Sequence, residues 1–152
     1  MSLTLTAGPS SLDRLETAIG RLVQKHAFTR VDRERPEFPA GLTALLLTED
    51  PQRNPEVLDA CVILPEALKP LGDSVAGAVA GPETAPALMQ RYGVARAPAV
   101  VFLRDGDYLG VLAGIRDWSE YQTELSRLLN GPAQPKPIGI PVRSGTAQGA
   151  CA

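Results

Sequence analysis

The apolar run Leu42–Leu47 constrains the fold of this chain more than any other feature. Gly41 precedes the run, and the polar segment Thr48–Asp50 and Pro51 follow it. A strand with one solvated face alternates apolar and polar side chains, whereas a strand covered on both faces is apolar along its length. The run therefore predicts a central strand in a sheet that carries helices on both faces, which is an α/β architecture.

The segments around this strand predict an alternation of helices and strands. Helices are indicated by apolar residues at helical spacing between capping residues, and strands by short apolar runs bounded by turn residues. The first predicted elements are a helix carrying Leu12 to Val23 after Ser10 and Ser11, a short strand at 28–31 and the central strand. They are followed by a helix capped by Asn54 with Pro65 in its interior, a strand at Val75–Ala80, and a short helix from Thr84 to Tyr92 ended by Gly93. The last are an antiparallel hairpin of Ala99–Leu103 and Tyr108–Ala113 and a helix after Asp117 that carries Trp118.

The composition changes after Asn130. Residues 132–152 are rich in proline, glycine, alanine and serine and contain few large apolar side chains. Such a segment buries too little apolar surface to offset the entropy lost on ordering. We predict one folded domain at 1–131 and a flexible, Pro/Gly-rich tail at 132–152.

Charge and cysteine content exclude several functional classes. The net charge of the chain is −2. All 17 acidic but only 13 of the 15 basic residues precede residue 131, so residues 1–130 carry a net charge of −4. This balance argues against a nucleic-acid partner. The chain has two distant cysteines, Cys61 and Cys151, and one histidine, His26. No zinc cluster, CxxC motif or disulfide framework can be built from them, so we expect no metal site and no cofactor.

The sequence also bears on the compartment. Residues 1–12 contain neither a basic region nor an apolar stretch of signal-peptide length. No apolar run reaches the roughly 18 residues of a membrane-spanning helix. We therefore expect a cytoplasmic protein without membrane insertion.

Three motifs in the second half of the chain resemble thioredoxins: Arg91–Val94, Arg96–Ala99 and Gly106–Gly114. In that family, a helix ending in such a motif leads to a cis-proline, a two-stranded hairpin and a closing helix. Pro65 also resembles the kink proline of the thioredoxin active-site helix. The resemblance implies a thioredoxin-like three-layer sandwich with a mixed sheet and a cis-proline loop at Pro98.

The residues of thioredoxin redox chemistry are absent. When Pro65 is aligned with the kink proline, Val57 and Ala60 fall at the two redox-cysteine positions, and neither side chain can attack a disulfide. A shift of one position would place Cys61 at the second cysteine, which is normally the buried resolving thiol. We therefore expect no disulfide reductase activity, with a thiol-dependent redox protein using Cys61 as the alternative from the enzyme class.

A closer resemblance is to the thioredoxin-like [NiFe] hydrogenase expression/formation proteins HupG, HyaE and HoxO. It is carried by the segments Leu47–Val57, Arg91–Val94 with Pro98, and Tyr108–Ile115 with Trp118. The resemblance implies a non-enzymatic chaperone that binds the small-subunit precursor of a membrane-bound uptake hydrogenase, including its twin-arginine signal peptide. A generic thioredoxin-like peptide-binding adaptor is a second alternative.

The cis-proline loop is the first candidate site for a partner. In thioredoxin-like proteins the backbone of the residue before the cis-proline, here Ala97, pairs with an extended peptide as an added strand. The resemblance therefore makes Arg96, Ala97, Pro98 and Gly114 candidate partner-binding residues. A purely architectural role for Pro98 is the alternative.

A group of acidic residues is the second candidate site. Glu49, Asp50, Glu56 and Asp59 lie at the loop and helix start where the thioredoxin active site would be. Arginine pairs with carboxylates in bidentate geometry, so this group suits a basic segment such as a twin-arginine peptide. A solvated surface, with acids that favour the helix dipole, is the alternative.

Overall fold

A computed structural model describes residues 8–114, 120, 122–123 and 126–127. Over these residues the helices and strands follow the predicted order. They are α1 (Ser11–His26), β1 (Thr29–Val31), β2 (Leu42–Leu47), α2 (Glu56–Leu68), a 3₁₀ segment (Lys69–Ser74), β3 (Val75–Ala80), α3 (Ala85–Tyr92), β4 (Ala99–Arg104) and β5 (Asp107–Ala113).

The strands form one five-stranded mixed sheet in the order β1-β3-β2-β4-β5. Strands β1, β3 and β2 are parallel, while β4 is antiparallel to β2 and β5 to β4. Every residue of β2 is buried, and β2 is paired on both sides. The central strand predicted at Leu42–Leu47 is therefore confirmed, as are the mixed sheet and the hairpin at one side.

Helices cover both faces of the sheet. Helices α1 and α2 pack on one face, where Ala44 and Leu46 of β2 point, and α3 packs on the other face, against Leu45 and Leu47. This alternation along β2 follows from the two-residue period of a strand. The predicted three-layer α/β sandwich is confirmed.

Several helix ends are fixed by predicted capping residues, but Thr84, at the N-cap of α3, makes no side-chain capping hydrogen bond. The Ser10 hydroxyl accepts a hydrogen bond from the Asp13 N–H at 3.1 Å, and the Asp13 carboxylate accepts one from the Ser10 N–H at 3.2 Å, a capping box that starts α1. Asn54 Oδ1 accepts a hydrogen bond from the Glu56 N–H at 3.1 Å and so caps the first N–H of α2, although the N-cap position itself is Pro55, one residue later than predicted. Gly93, with φ of 70°, ends α3 as expected.

Several bounds differ from the sequence prediction. Strand β1 begins at Thr29 because Phe28 turns into the core. The hairpin strands extend to Arg104 and Asp107, since Asp105 and Gly106 both have positive φ and form a two-residue turn. The 3₁₀ segment was not predicted.

The structure describes only part of the C-terminal region, where the last helix and the tail are predicted. Glu120, Gln122, Thr123, Ser126 and Arg127 are helical, where the last helix was predicted. Trp118 and residues 131–152, including the domain boundary, lie outside the described residues. Over the described part of the chain, no helix is both long and apolar enough to cross a membrane.

An ion-pair network fastens the β1 edge of the sheet. The Arg30 guanidinium donates to both Glu16 oxygens, at 2.7 and 2.9 Å, and to Glu83 at 3.1 Å. These hydrogen bonds lower the pKa of the Glu16 carboxyl. Arg30 thus joins α1, β1 and the loop after β3. That loop lies at the end of the sheet where the parallel strands β1, β2 and β3 end.

Gly77 and Gly20 provide a matched test of this packing. A Cβ at Gly77 would overlap the ring of Phe28, which is buried, whereas a Cβ at Gly20 would meet no atom within 4 Å. We expect Gly77→Ala to lower the free energy of unfolding by about 1–3 kcal/mol because the ring must move. Gly20→Ala should raise it by about 0.5–1 kcal/mol because Gly20 lies inside α1. Denaturant unfolding measures both, and a Gly77→Ala variant as stable as the wild type would contradict this packing.

Candidate functional site

Two loops meet at one end of the sheet. Because β4 is antiparallel to β2, Leu47 at the end of β2 pairs with Ala99 at the start of β4. The loop that follows β2 therefore lies beside the loop that precedes β4. Thr48 holds the first loop against β3, since its N–H and hydroxyl both donate to the Ala80 carbonyl, at 3.2 and 2.7 Å.

The second loop contains the expected cis-proline. The Ala97–Pro98 peptide bond is cis, and both residues are buried. The Asn54 side-chain amide donates to the Ala97 carbonyl at 2.9 Å, and the Gly114 N–H donates to the Pro98 carbonyl at 2.8 Å. The structure thus brings Ala97, Pro98 and Gly114 together and adds Asn54 to them.

Asn54 is the residue that sequence reasoning placed only as a helix cap. Its Oδ1 atom caps α2, while its Nδ2 atom ties the start of α2 to the cis-proline loop. The signal was present in the residue type, because a capping asparagine, unlike a capping serine or aspartate, also has an NH₂ group that can donate. The acceptor for that group was not evident from the sequence.

The geometry bears on strand pairing at Ala97. Ala97 is 1% exposed, and its carbonyl already accepts the bond from Asn54. A peptide pairing there would have to share this carbonyl or displace the Asn54 amide. Arg96, the preceding residue, is exposed. Strand pairing of a peptide at Ala97 stays a prediction, and it requires that the peptide share the Ala97 carbonyl or displace the Asn54 amide.

The four candidate acids occupy two different places. Glu49 and Asp50 are half-buried and line a groove of about 460 Å³ beside α3, whereas Glu56 and Asp59 are exposed near the start of α2 and do not line it. We call this cavity the acidic groove. The residues that line it are Thr48, Glu49, Asp50, Arg53, Pro82, Pro86, Met89, Gln90 and Val94.

Asp50 has a structural role in the acidic groove. Its Oδ1 atom accepts a hydrogen bond from the Ser11 hydroxyl at 2.5 Å and another from the Gln52 N–H at 2.9 Å. These bonds, the one from Ser11 above all, lower the pKa of the Asp50 carboxyl. Asp50 thus joins the start of α1 to the loop. Over the described residues, Glu49, Glu56 and Asp59 have no ion pair, so their carboxylates are the ones available to a basic ligand.

The Arg91–Val94 motif serves the fold and shapes the groove. Tyr92 is 3% exposed, and its ring stacks on Tyr108 with centroids 6.2 Å apart. Gly93 ends α3, and the Val94 N–H bonds to the Met89 carbonyl at 2.8 Å. This turn places Met89 and Val94 together on the apolar wall of the acidic groove.

The positions that the resemblance predicts for the two redox cysteines hold buried apolar side chains, and Cys61, the alternative for the second position, is buried as well. Val57 is fully buried and Ala60 is 1% exposed, so both pack into the core. Cys61 is 5% exposed, and its burial raises the pKa of the thiol to about 12. The thiolate is the reactive form of cysteine, and a thiol with this pKa forms almost none at neutral pH. Over the described residues, no three His, Cys, Asp or Glu side chains gather at metal-binding distance.

Thiol titration tests the burial of Cys61. In a Cys151→Ser variant, we expect Ellman's reagent to label Cys61 only after unfolding, since at pH 7 roughly one thiol in 10⁵ is ionised at such a pKa. Insulin reduction by the wild type should equal the rate without protein. Rapid labelling of the native protein, or insulin reduction that disappears in Cys61→Ser, would support the redox alternative.

Two Asn54 variants separate its two hydrogen bonds. Asn54→Ala removes both the α2 cap and the bond to Ala97, and we expect it to lower the free energy of unfolding by about 1–2 kcal/mol. Asn54→Ser keeps a capping oxygen but is too short to reach the Ala97 carbonyl, so it should lose only part of this amount. Denaturant unfolding of the wild type and the two variants measures the difference. An Asn54→Ala variant with the same free energy of unfolding as the wild type would show that the two Asn54 hydrogen bonds contribute little to stability.

Comparison with known proteins identifies the family. The family model described as hydrogenase-1 expression protein HyaE matches residues 18–121. The hydrogenase expression/formation protein HoxO of Cupriavidus necator is 39% identical over 91% of this chain and 90% of its own. HupG of Bradyrhizobium diazoefficiens, which has the same description, is 40% identical over 61% of this chain and 64% of its own.

A crystal structure described as hydrogenase expression/formation protein hupG from Rhodopseudomonas palustris CGA009 is also similar. It is 30% identical, covers 66% of this chain and 94% of its own, and superposes with a TM-score of 0.47. The family match itself rests on the sequence comparisons, which span most of the chain. The chain belongs to the HyaE family of hydrogenase expression proteins.

Proposed function

We propose that this protein acts in hydrogenase maturation as a non-enzymatic chaperone for the small-subunit precursor of a [NiFe] hydrogenase, and that it binds the twin-arginine signal peptide of that precursor. Membership of a hydrogenase expression family supports the role in maturation. The observation that carries the non-enzymatic part is the replacement of both thioredoxin cysteines by buried Val57 and Ala60.

The acidic groove supplies chemistry suited to a basic segment. Pro82, Met89 and Val94 offer apolar surface, and Glu49 adds a carboxylate with no ion pair in the described chain. Glu56 and Asp59 are exposed on α2 outside the groove and supply two further carboxylates. A segment that carries two arginines beside an apolar residue would place its guanidinium groups on these carboxylates and its apolar side chain in the groove.

The magnitude of these contacts limits what the acids contribute. An exposed ion pair contributes at most about 1 kcal/mol, because water and salt screen it. Such charges set the rate of association and its salt dependence more than the final affinity. We therefore assign the apolar wall a share of the affinity and the carboxylates the preference for a basic ligand.

Co-purification tests the proposal most simply. Tagged protein should retain the small-subunit precursor, and removal of the signal peptide should weaken the retention. An unrelated cytoplasmic protein serves as the control. If neither form of the small subunit is retained above that control, the chaperone function is wrong. Equal retention of unrelated extended peptides would favour the generic adaptor instead.

Charge reversal tests the role of the acids. We expect Glu49→Lys with Glu56→Lys to weaken binding of a twin-arginine peptide by up to about fivefold per lost ion pair and to flatten its salt dependence, since each exposed pair contributes at most about 1 kcal/mol. Asp50 is left unchanged because it holds the loop through Ser11 and Gln52. Isothermal titration at several salt concentrations measures both effects.

The matched control is Asp73→Lys with Asp107→Lys. Both residues are exposed and lie at the opposite end of the sheet, where Asp73 precedes β3 and Asp107 is the first residue of β5, and the change in net charge is the same. This control should bind the peptide nearly as well as the wild type. Equal loss in both double variants would mean that only net charge matters and that the acidic groove is not the site.

A further inference from the structure

A second groove lies between α1 and α2, on the face of the sheet opposite α3. Its volume is about 280 Å³, and we call it the α1–α2 groove. The proposed function makes no use of it. The residues that line it are Ala18, Arg21, Lys25 and His26 of α1, and Cys61, Val62 and Glu66 of α2.

The α1–α2 groove contains the most exposed large hydrophobic residue in the described chain. Val62 is 64% exposed, compared with 46% for Leu12 and 38% for Val23. An isolated exposed valine on a convex surface is ordinary. Val62, however, stands in a concave site next to Cys61 and Ala18, where a partner's side chain would contact apolar atoms on more than one side. Covering it would therefore remove apolar surface from water.

The charge of the groove is opposite to that of the protein as a whole. The net charge of the chain is −2, yet the α1 side of the groove carries Arg21 and Lys25, one helical turn apart on the same face, with His26 beside them. The one carboxylate in the lining, Glu66, is paired with Lys69 at 2.9 Å. Over the described residues, no carboxylate pairs with Arg21, Lys25 or His26.

We propose that the α1–α2 groove binds an acidic amphipathic segment of a second protein, with an apolar side chain over Val62 and carboxylates on Arg21 and Lys25. The ends of this chain do not match the groove. Residues 1–7 contain no acid, and residues 131–152 contain Lys136 and Arg143 and no acid. A twin-arginine segment does not match it either, because the groove would repel its charge. The surface is therefore separate from the acidic groove, and the proposal does not depend on the proposed function.

The test uses an amphipathic peptide of leucine and glutamate as the acidic probe, and the same peptide with lysine in place of each glutamate. The probes are titrated into ¹⁵N-labelled full-length protein. We expect saturable shifts around Val62 and Arg21 with the glutamate peptide and none with the lysine peptide. Arg21→Gln with Lys25→Gln should weaken binding by about tenfold, the loss expected for two partly screened charges. Val62→Ser should weaken it as well.

Matched controls separate the groove from overall charge and hydrophobicity. Arg33→Gln with Arg104→Gln makes the same change in net charge at exposed sites elsewhere, and Val23→Ser removes an exposed valine on another side of α1. Both controls should bind the glutamate peptide as the wild type does. Thermal melting of each variant confirms that it is folded.

Four outcomes would overturn the proposal. The first two are the absence of saturable binding of the glutamate peptide and an equal loss of binding in the control variants. The third is binding of anionic lipid vesicles that depends on Arg21, Lys25 and Val62 while the peptide does not bind. The fourth is self-association of the wild type, measured by sedimentation equilibrium, that Val62→Ser abolishes. The last outcome would identify the occupant as a second copy of this chain.

Discussion

The complete burial of β2 determines where the two loops of the candidate site lie. Because β2 pairs with β3 on one side and with β4 on the other, the end of β2 fixes both the loop leading to α2 and the cis-proline loop at one end of the sheet. Asn54 then joins these two loops through a single 2.9 Å hydrogen bond to Ala97. The start of α2 and the cis-proline loop are therefore positioned by their connection to β2 and by the Asn54–Ala97 hydrogen bond.

The fold was predictable because its signals are local. The apolar run of β2, the capping box of Ser10 and Asp13, and the glycine after α3 each specify their element through a few neighbouring residues. The candidate site was less predictable, because it depends on contacts between distant residues. Asn54 and Ala97 are 43 positions apart, and the wall of the acidic groove comes from the β3–α3 segment, which no sequence motif connected with Glu49.

The molecule has a thioredoxin-like frame. Val57, Ala60 and Cys61, which lie at or beside the positions that the resemblance predicts for the redox cysteines, are part of the hydrophobic core. Among the grooves of the described residues, two on opposite faces of the sheet differ in charge. The acidic groove beside α3 carries Glu49 and Asp50 with Arg53, and the α1–α2 groove carries Arg21 and Lys25 with Glu66. Charge differences of this kind would let the two proposed sites discriminate between basic and acidic ligands.

We propose that the partner's basic segment binds in the acidic groove, and pairing of its backbone at Ala97 stays a separate prediction. Titration of a twin-arginine signal peptide into isotope-labelled protein, followed by NMR, tests it most directly. If the segment binds there, the resonances of Glu49, Met89 and Val94 shift, and a shift of the Asn54 side-chain amide with new exchange protection of the Ala97 N–H would show that the peptide also pairs at Ala97. Saturable binding that leaves Glu49, Met89 and Val94 unshifted would contradict binding in the acidic groove.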